Sequence, residues 1–177
     1  MLVLPHAAGA YLLGCVPAAR LAARVVARYR WARYAPLLAD AAKGYLAVTL
    51  LAPSLSLGPA LPATAVVVGH QWPAVWGGEP GREDGIPVLV GALAAVTPVS
   101  LPLWAVLWAV AFVLTGFPRV STVFATALAL PAIGVVAGWP MALLAFPATL
   151  MVLERQRTAV LRWLRGEEPK FLWRDGG

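Results

Sequence analysis

The segment Gly69–Gly91, GHQWPAVWGGEPGREDGIPVLVG, joins two apolar runs of the chain, and its composition decides how the rest is interpreted. Its central part, Gly77–Gly85, is rich in glycine and in charged side chains. Glycine lets a backbone approach a ligand closely, and the free N–H groups of such a turn can hold an anion. The segment is therefore either a candidate site of chemistry or only a hydrophilic loop between two membrane helices.

The chain as a whole is too apolar for a soluble domain of its size. Of its 177 residues, 60% are hydrophobic and 12% are charged, whereas soluble domains carry about 25% charged residues. This composition predicts one integral membrane domain over residues 1–177, with a cytoplasmic helix extension over residues 154–177. No basic region precedes the first apolar run, so we expect that run to remain a helix rather than to be a cleaved signal.

Seven apolar runs can be recognised along the chain. Their limits are 2–24, 35–52, 60–76, 86–97, 101–116, 120–137 and 139–161. They predict an all-α fold, a polytopic membrane helix bundle with about seven transmembrane helices. The fourth run is shorter than the roughly 20 residues that cross a bilayer. It is either a half-spanning helix packed inside the bundle, or one part of a broken element that continues into the fifth run.

The basic residues fall in or beside alternate connections and in the C-terminal tail. They are Arg20, Arg24, Arg28, Arg30, Arg33, Lys43, Arg82, Arg119, Arg155, Arg157, Arg162, Arg165, Lys170 and Arg174. Because positively charged loops stay in the cytoplasm, this pattern predicts an N-terminus outside, a cytoplasmic C-terminus and an odd number of crossings. A polar ligand should then bind from the cytoplasmic side. Topology and attraction to anionic lipids explain the net charge of +6, and no contiguous basic face suggests nucleic acid.

Ionisable side chains at the edges of these runs are the candidates for chemistry. Asp40 and Lys43 share one helix face, either as an interfacial anchoring pair or as a ligand-facing ion pair. His70 is either a hydrogen-bonded packing residue or a functional residue, acting as a base or as a contact for an anion. Arg155 and Arg157 lie in a basic amphipathic tail, which is either an interfacial anchor or a contact for a phosphorylated substrate. No histidine or cysteine cluster suggests a metal, and no motif indicates a cofactor.

Several of these motifs together resemble one family, the PlsY-type acyl-phosphate:glycerol-3-phosphate acyltransferases. Near the N-terminus, Tyr11-Leu-Leu-Gly14-Cys-Val-Pro17 resembles that family's opening G-S-x-P helix. Asp40-Ala-Ala-Lys43-Gly44 matches its D-x-x-K-G at the start of the second helix. Gly69-His70-Gln-Trp-Pro73 matches its G-H-x-F-P, which precedes a glycine-rich catalytic loop. The order and spacing of these motifs carry the resemblance, which extends over nearly the whole chain.

The second half of the chain continues the resemblance. Val120-Ser121 matches the family's V-S after the fifth helix, and Arg155-Gln-Arg157 resembles its R-H-R. The segment Arg162–Lys170 matches its R-x-x-x-G-x-E-P-K at equal spacing. The resemblance implies seven transmembrane helices in a bacterial inner membrane, without a cofactor. It also implies that the hydroxyl of glycerol 3-phosphate attacks an acyl phosphate without a covalent enzyme intermediate, while amides and basic side chains hold the phosphates.

The chain departs from the family pattern at several positions. The first-loop motif S-G-N-x-G-A-T-N is missing, and only Arg28–Arg33 bridges the helices there. The loop motif G-G-K-G is replaced by Gly81–Gly85, in which Arg82 has acidic neighbours. In the tail, Gln156 and Ala159 stand where the family has histidine and asparagine, and Phe124 stands where a second serine is expected. These changes remove or oppose groups that hold anions.

The resemblance assigns a set of site residues in this numbering. The catalytic candidates are His70, Arg82 and Ser121, and the substrate-binding candidates are Asp40, Lys43, Gly69, Gly81, Gly85, Arg155, Arg157 and Glu168. Three functions stay open: a divergent acyltransferase that acts on acyl phosphate and glycerol 3-phosphate, with membrane lipids as its surroundings; a catalytically impaired relative that binds a lipid, an acyl donor or a protein partner; and a small transporter. The transporter would need a polar path through the bundle, and the predicted outer connections carry no charge.

Overall fold

The computed structural model describes residues 3–17, 21, 34–52, 58–75 and 85–171 of the chain. In that part of the chain the protein forms seven α-helices and no strand, so the predicted all-α fold is confirmed. The helices are α1 Val3–Cys15, α2 Ala35–Leu51, α3 Ala60–Gln71, α4 Ile86–Val96, α5 Ser100–Thr115, α6 Pro118–Ala137 and α7 Trp139–Leu164.

Two helices are shorter than the apolar runs that predicted them. Helix α1 ends at Cys15 and α3 ends at Gln71, each just before a proline, Pro17 and Pro73. A proline disfavours helical geometry at the residue before it, and Trp72 is non-helical with φ −130° and ψ 70°. Runs four and five are two separate helices, because the extended Thr97 ends α4. The prediction of a short fourth helix is correct: α4 has 11 residues.

The outer surface of the bundle is apolar. Leu4, Val113, Leu114 and Val135 are each about 80% exposed, and large apolar surfaces of this kind mark contact with membranes or partners. Among the described residues, only α6 is both long and apolar enough to cross a bilayer by itself, with 20 residues and a mean hydropathy of 2.0. Helices α4 and α5 are apolar but shorter. The charged residues of α7 lie in its last three turns.

Two pairs of helices cross with their backbones in direct contact. A methyl group at Gly14 or Gly69 would collide with a carbonyl oxygen of the opposite helix at the α1–α3 crossing. The same is true of Gly44 and Gly91 at the α2–α4 crossing, where the colliding oxygens belong to Val88 and Ala41. Small residues are the usual means by which membrane helices approach so closely. These crossings bring the ends of α1 and α3 and the middle of α2 together.

Helices α5, α6 and α7 form the other side of the bundle. Trp104 and Trp108 of α5 lie on one face, and their indole N–H groups donate to Thr126 at 3.2 Å and Thr122 at 2.9 Å on α6. Such bonds satisfy the only polar atoms of these rings inside an apolar bundle. Helix α7 contacts both α3 and α4, so it joins the two halves.

Candidate functional site

A buried lysine connects three helices at the centre of the candidate site. The Lys43 ammonium lies 2.9 Å from Asp40 Oδ1, 2.8 Å from His70 Nδ1, 3.1 Å from the Val16 carbonyl and 3.3 Å from the Gly14 carbonyl. The Lys43 and Asp40 side chains are 6% and 7% exposed. The pair therefore lies inside the protein and not on its surface. An ammonium has three N–H donors, so protein acceptors use all of them.

The contacts of Lys43 follow from the electrostatics of helix ends. Gly14 and Val16 lie at the C-terminal end of α1, where carbonyl groups lack intrahelical partners and the helix dipole is negative. A buried cation satisfies those carbonyls, and Asp40 neutralises its charge. Since an ammonium can only donate, His70 Nδ1 is the acceptor and the ring proton lies on Nε2. The histidine is thereby fixed in one tautomer at the end of α3.

A second cation, Arg155 of α7, contacts the residues that directly follow His70. Its Nη2 donates to the Gln71 carbonyl at 3.3 Å, and its Cζ lies 4.5 Å from the centre of the Trp72 ring. Arg155 is partly buried, and in the described part of the chain this is the hydrogen bond its guanidinium makes. The remaining N–H donors suit an anion, because guanidinium groups bind phosphate by two parallel hydrogen bonds.

The start of α4 lies against the end of α3. Gly85 precedes α4 with a positive φ of 67°, which favours glycine. The Gln71 side chain packs on it, with Nε2 3.0 Å from where a Cβ on Gly85 would be. Gln71 is 1% exposed, and neither of its amide atoms has a partner among the described residues; the same is true of Nε2 of the buried Gln156. Buried amides without partners are rare and cost about 1–3 kcal/mol each.

Ser121 lies at the α5–α6 connection, in a different group of contacts. Its hydroxyl, which is fully buried, donates to the Phe117 carbonyl at 2.8 Å and is 3.1 Å from Thr115 Oγ1. The chain after α7 folds back onto this connection, and the Phe171 N–H donates to the Gly116 carbonyl at 3.0 Å. Glu168, in that returning segment, is buried and pairs with Arg162 at 3.4 Å.

The structure thus groups some of the predicted site residues and separates others. Six lie around the last turn of α3: Asp40, Lys43, Gly69, His70, Gly85 and Arg155. Ser121 and Glu168 lie at the α5–α6 connection. Arg157 pairs with Glu154 on the surface of α7, where their side chains are 72% and 59% exposed. Gly81, Arg82 and the segment 28–33 lie outside the described residues.

Sequence reasoning did not select Tyr11, Gln71, Trp72 or Gln156 as site residues. Tyr11, Gln71 and Trp72 lie inside or beside stretches quoted for their motifs, and Gln156 was noted only as a departure. The Tyr11 hydroxyl donates to the Trp72 carbonyl at 2.9 Å and accepts from the Ala74 N–H at 3.0 Å. No local spacing reveals this contact, since Tyr11 and Trp72 are 61 residues apart.

An apolar groove opens on the surface where α2, α4 and α5 meet. Its volume is about 360 Å³, and its lining includes Ala41 and Gly91 from the α2–α4 crossing. The other lining residues are Ala42, Tyr45, Leu46, Val90, Ala94 and Leu101. A groove of this composition suits a hydrocarbon chain rather than a polar ligand.

Comparison with known proteins agrees with this arrangement. Residues 26–166 match the sequence profile of a family described as glycerol-3-phosphate acyltransferase. Proteins of that name from Neisseria meningitidis serogroup A and Neisseria gonorrhoeae are 32% and 34% identical to this chain, over 76% of it and 70% of their own length. The relative from Methylobacillus flagellatus is 33% identical over 76% of this chain and 69% of its own length.

Two solved structures of PlsY (YgiH), an integral membrane glycerol 3-phosphate acyltransferase, share the fold. The lysophosphatidic acid form has a TM-score of 0.82 at 22% identity, and the glycerol 3-phosphate form has 0.80 at 21%. Each comparison covers 97% of this chain and 96% of the other. Seven helices, the grouping of motifs around α3 and the match over residues 26–166 lead to one assignment. The chain belongs to the glycerol-3-phosphate acyltransferase family and has the fold of its integral membrane members.

Proposed function

We propose that this protein is a divergent acyltransferase that transfers an acyl group from acyl phosphate to glycerol 3-phosphate. It would cross a bacterial inner membrane several times, with its N-terminus outside and its C-terminus in the cytoplasm. One observation carries the proposal: motif residues from α2, α3 and α7 converge on the last turn of α3. A packing role alone would not require a partly buried arginine whose guanidinium makes a single hydrogen bond to the described residues.

The reaction needs positioning and charge stabilisation more than a covalent catalyst. A hydroxyl oxygen of glycerol 3-phosphate would attack the carbonyl carbon of the acyl phosphate, forming a C–O ester bond. The bond from that carbon to the phosphate oxygen would break, and the released phosphate would take the hydroxyl proton. Arg155 would hold a phosphate group, and the groove beside α2 and α4 would take the acyl chain.

The other residues of the predicted site have proposed roles of two kinds. Asp40, Lys43 and His70 would fix the ends of α1 and α3, because their polar atoms bond mainly to one another and to the backbone. Gly69 and Gly85 would allow the close helix contacts around Arg155. Substrate contact is proposed, on the sequence resemblance alone, for the remaining residues: Gly81, Arg82, Ser121, Arg157 and Glu168.

The test is lysophosphatidate formation by the purified protein with palmitoyl phosphate and radiolabelled glycerol 3-phosphate. We expect turnover by the unchanged protein. Arg155→Gln should lower kcat/KM for glycerol 3-phosphate by about 10²-fold, as loss of a charged donor does. The matched control is Arg119→Gln, which changes an exposed arginine of α6 and should leave the rate within about twofold. Absence of product from the unchanged protein at millimolar substrate would refute the proposal.

A second candidate is a catalytically impaired family member that binds lipid or a partner. The observation that favours it is in the tail, where Gln156 and Ala159 are buried at positions that the resemblance assigns to histidine and asparagine. The two candidates differ in a complementation test. An active acyltransferase would restore growth of a bacterial strain that lacks its own enzyme, and an impaired one would not.

A further inference from the structure

The chain leaves helical geometry directly after α3, and a tyrosine from another helix holds it there. Trp72 is the first non-helical residue, and Pro73 follows it. Tyr11 of α1 donates its hydroxyl proton to the Trp72 carbonyl at 2.9 Å and accepts the Ala74 N–H at 3.0 Å. A phenol can donate and accept at once, so one hydroxyl fixes the backbone on both sides of the proline.

The segment held by Tyr11 includes Trp72, whose ring packs against the Arg155 guanidinium. The Arg155 Cζ lies 4.5 Å from the centre of the Trp72 ring, and Nη2 donates to the neighbouring Gln71 carbonyl at 3.3 Å. An arginine side chain loses much rotamer freedom when it is held in one place. A flat aromatic face and one carbonyl on the same segment restrict the guanidinium without using all of its donors. Within the described ranges the outer edge of the guanidinium makes no other hydrogen bond, so it is available for an anion.

We propose that Tyr11 and Trp72 are positioning residues for Arg155, acting as a two-step support between α1 and α7. Tyr11 sets the position of Trp72, and Trp72 sets the position of the guanidinium. Neither side chain touches the substrate. The inference rests on the proposed function, because it takes the phosphate of glycerol 3-phosphate as the anion that Arg155 holds. It predicts that loss of the support weakens acceptor binding and leaves the chemical step largely intact.

The experiment measures KM and kcat for glycerol 3-phosphate at saturating palmitoyl phosphate. Trp72→Leu removes the aromatic face and should raise KM about tenfold, with kcat changed by less than about threefold. Trp72→Phe keeps an aromatic face and should stay within about threefold of the original KM. Tyr11→Phe should raise KM about three- to tenfold, because only the hydroxyl is lost. The matched control for Trp72→Leu is Trp139→Leu, at an exposed position at the start of α7.

A double-mutant cycle with Arg155→Gln gives the decisive result. In that background, Trp72→Leu and Tyr11→Phe should change KM by less than about twofold, since no guanidinium is left to position. Equal effects with and without Arg155 would overturn the inference. So would a fall in kcat at unchanged KM, which indicates general damage to the fold. If the unchanged protein makes no lysophosphatidate, the proposed function fails, and that result is visible before any variant is compared.

Discussion

The role of Lys43 gives the sharpest test of the structural reasoning. The residue is 6% exposed, forms an ion pair with Asp40 and donates its N–H groups to His70 and to two carbonyls at the end of α1. Lys43→Met keeps a similar length and removes the charge. The Asp40 carboxylate would then be buried without a cation, and both carbonyls would lose their donor. Removing one partner of a buried ion pair costs about 3–5 kcal/mol, so we expect a loss of that size in the free energy of unfolding.

The effect of Asp40→Asn on stability depends on whether Lys43 is present. In the unchanged protein, Asp40→Asn removes the charge that neutralises Lys43, and we expect it to cost about 3–5 kcal/mol as well. In the Lys43→Met protein, the same substitution removes an uncompensated buried carboxylate. It should therefore raise the free energy of unfolding there. Asp40→Asn thus changes the free energy of unfolding in opposite directions in the two proteins. That reversal follows from the pairing of Asp40 with Lys43 and from nothing else in the site.

The assay is unfolding in mixed micelles at increasing fractions of sodium dodecyl sulfate, followed by fluorescence of the eight tryptophans. The matched control is Lys170→Met, because Lys170 is the other lysine of the chain and is exposed. It should change the free energy of unfolding by less than about 1 kcal/mol. If Lys43→Met unfolds like the unchanged protein and loses only acyl transfer, then Lys43 is a substrate contact and the structural interpretation is wrong.

Three further predictions concern helix packing and the binding of the acyl chain. Gly91→Ala should lower the free energy of unfolding by at least about 1–3 kcal/mol, because the new methyl group meets the Ala41 carbonyl. Gly9→Ala is its control, since its nearest neighbours are 3.6 and 3.8 Å away; equal thermal stability of the two variants would contradict the packing argument. Ala94→Phe should fill the groove and lower the rate with palmitoyl phosphate more than with a short-chain acyl phosphate; an equal decrease for both donors would exclude the groove as the acyl site. Thr122→Val should cost about 1–2 kcal/mol of unfolding free energy, because the Trp108 indole N–H loses its acceptor. A thermal melt in detergent indistinguishable from that of the unchanged protein would count against that bond.

Much of the helix order could be predicted from the sequence because membrane helices need long apolar runs. Their ends were less predictable where apolar residues continue past a proline. In the run 60–76 the composition stays apolar through Trp76, yet the helix stops at Gln71 because Pro73 restricts the residue before it. The short α4 was correctly identified from its length, and its separation from α5 was an open alternative that the extended Thr97 resolves.

The site was predictable only where its residues lie close together in sequence or in a motif. Asp40 and Lys43 are one helical turn apart, so their pairing follows from spacing. The link from Lys43 to His70 spans 27 residues, and the link from Arg155 to Gln71 spans 84. Contacts at such separations depend on which helices cross and where, which the apolar pattern does not encode. The burial of Lys43 could not be predicted for the same reason, because the carbonyl it binds belongs to another helix.

The glycine crossing of α2 and α4 has a consequence for how a fatty substrate reaches the protein. The backbones of these helices touch at Ala41–Gly91 and at Gly44–Val88, and helices that cross diverge beyond their contacts. The space between them opens sideways, and it is the groove lined by Ala42, Tyr45 and Ala94. Under the proposed function, an acyl donor that already lies in the bilayer would enter this groove from the lipid while its phosphate stays in water. The protein then has no need to extract the donor from the membrane before the reaction.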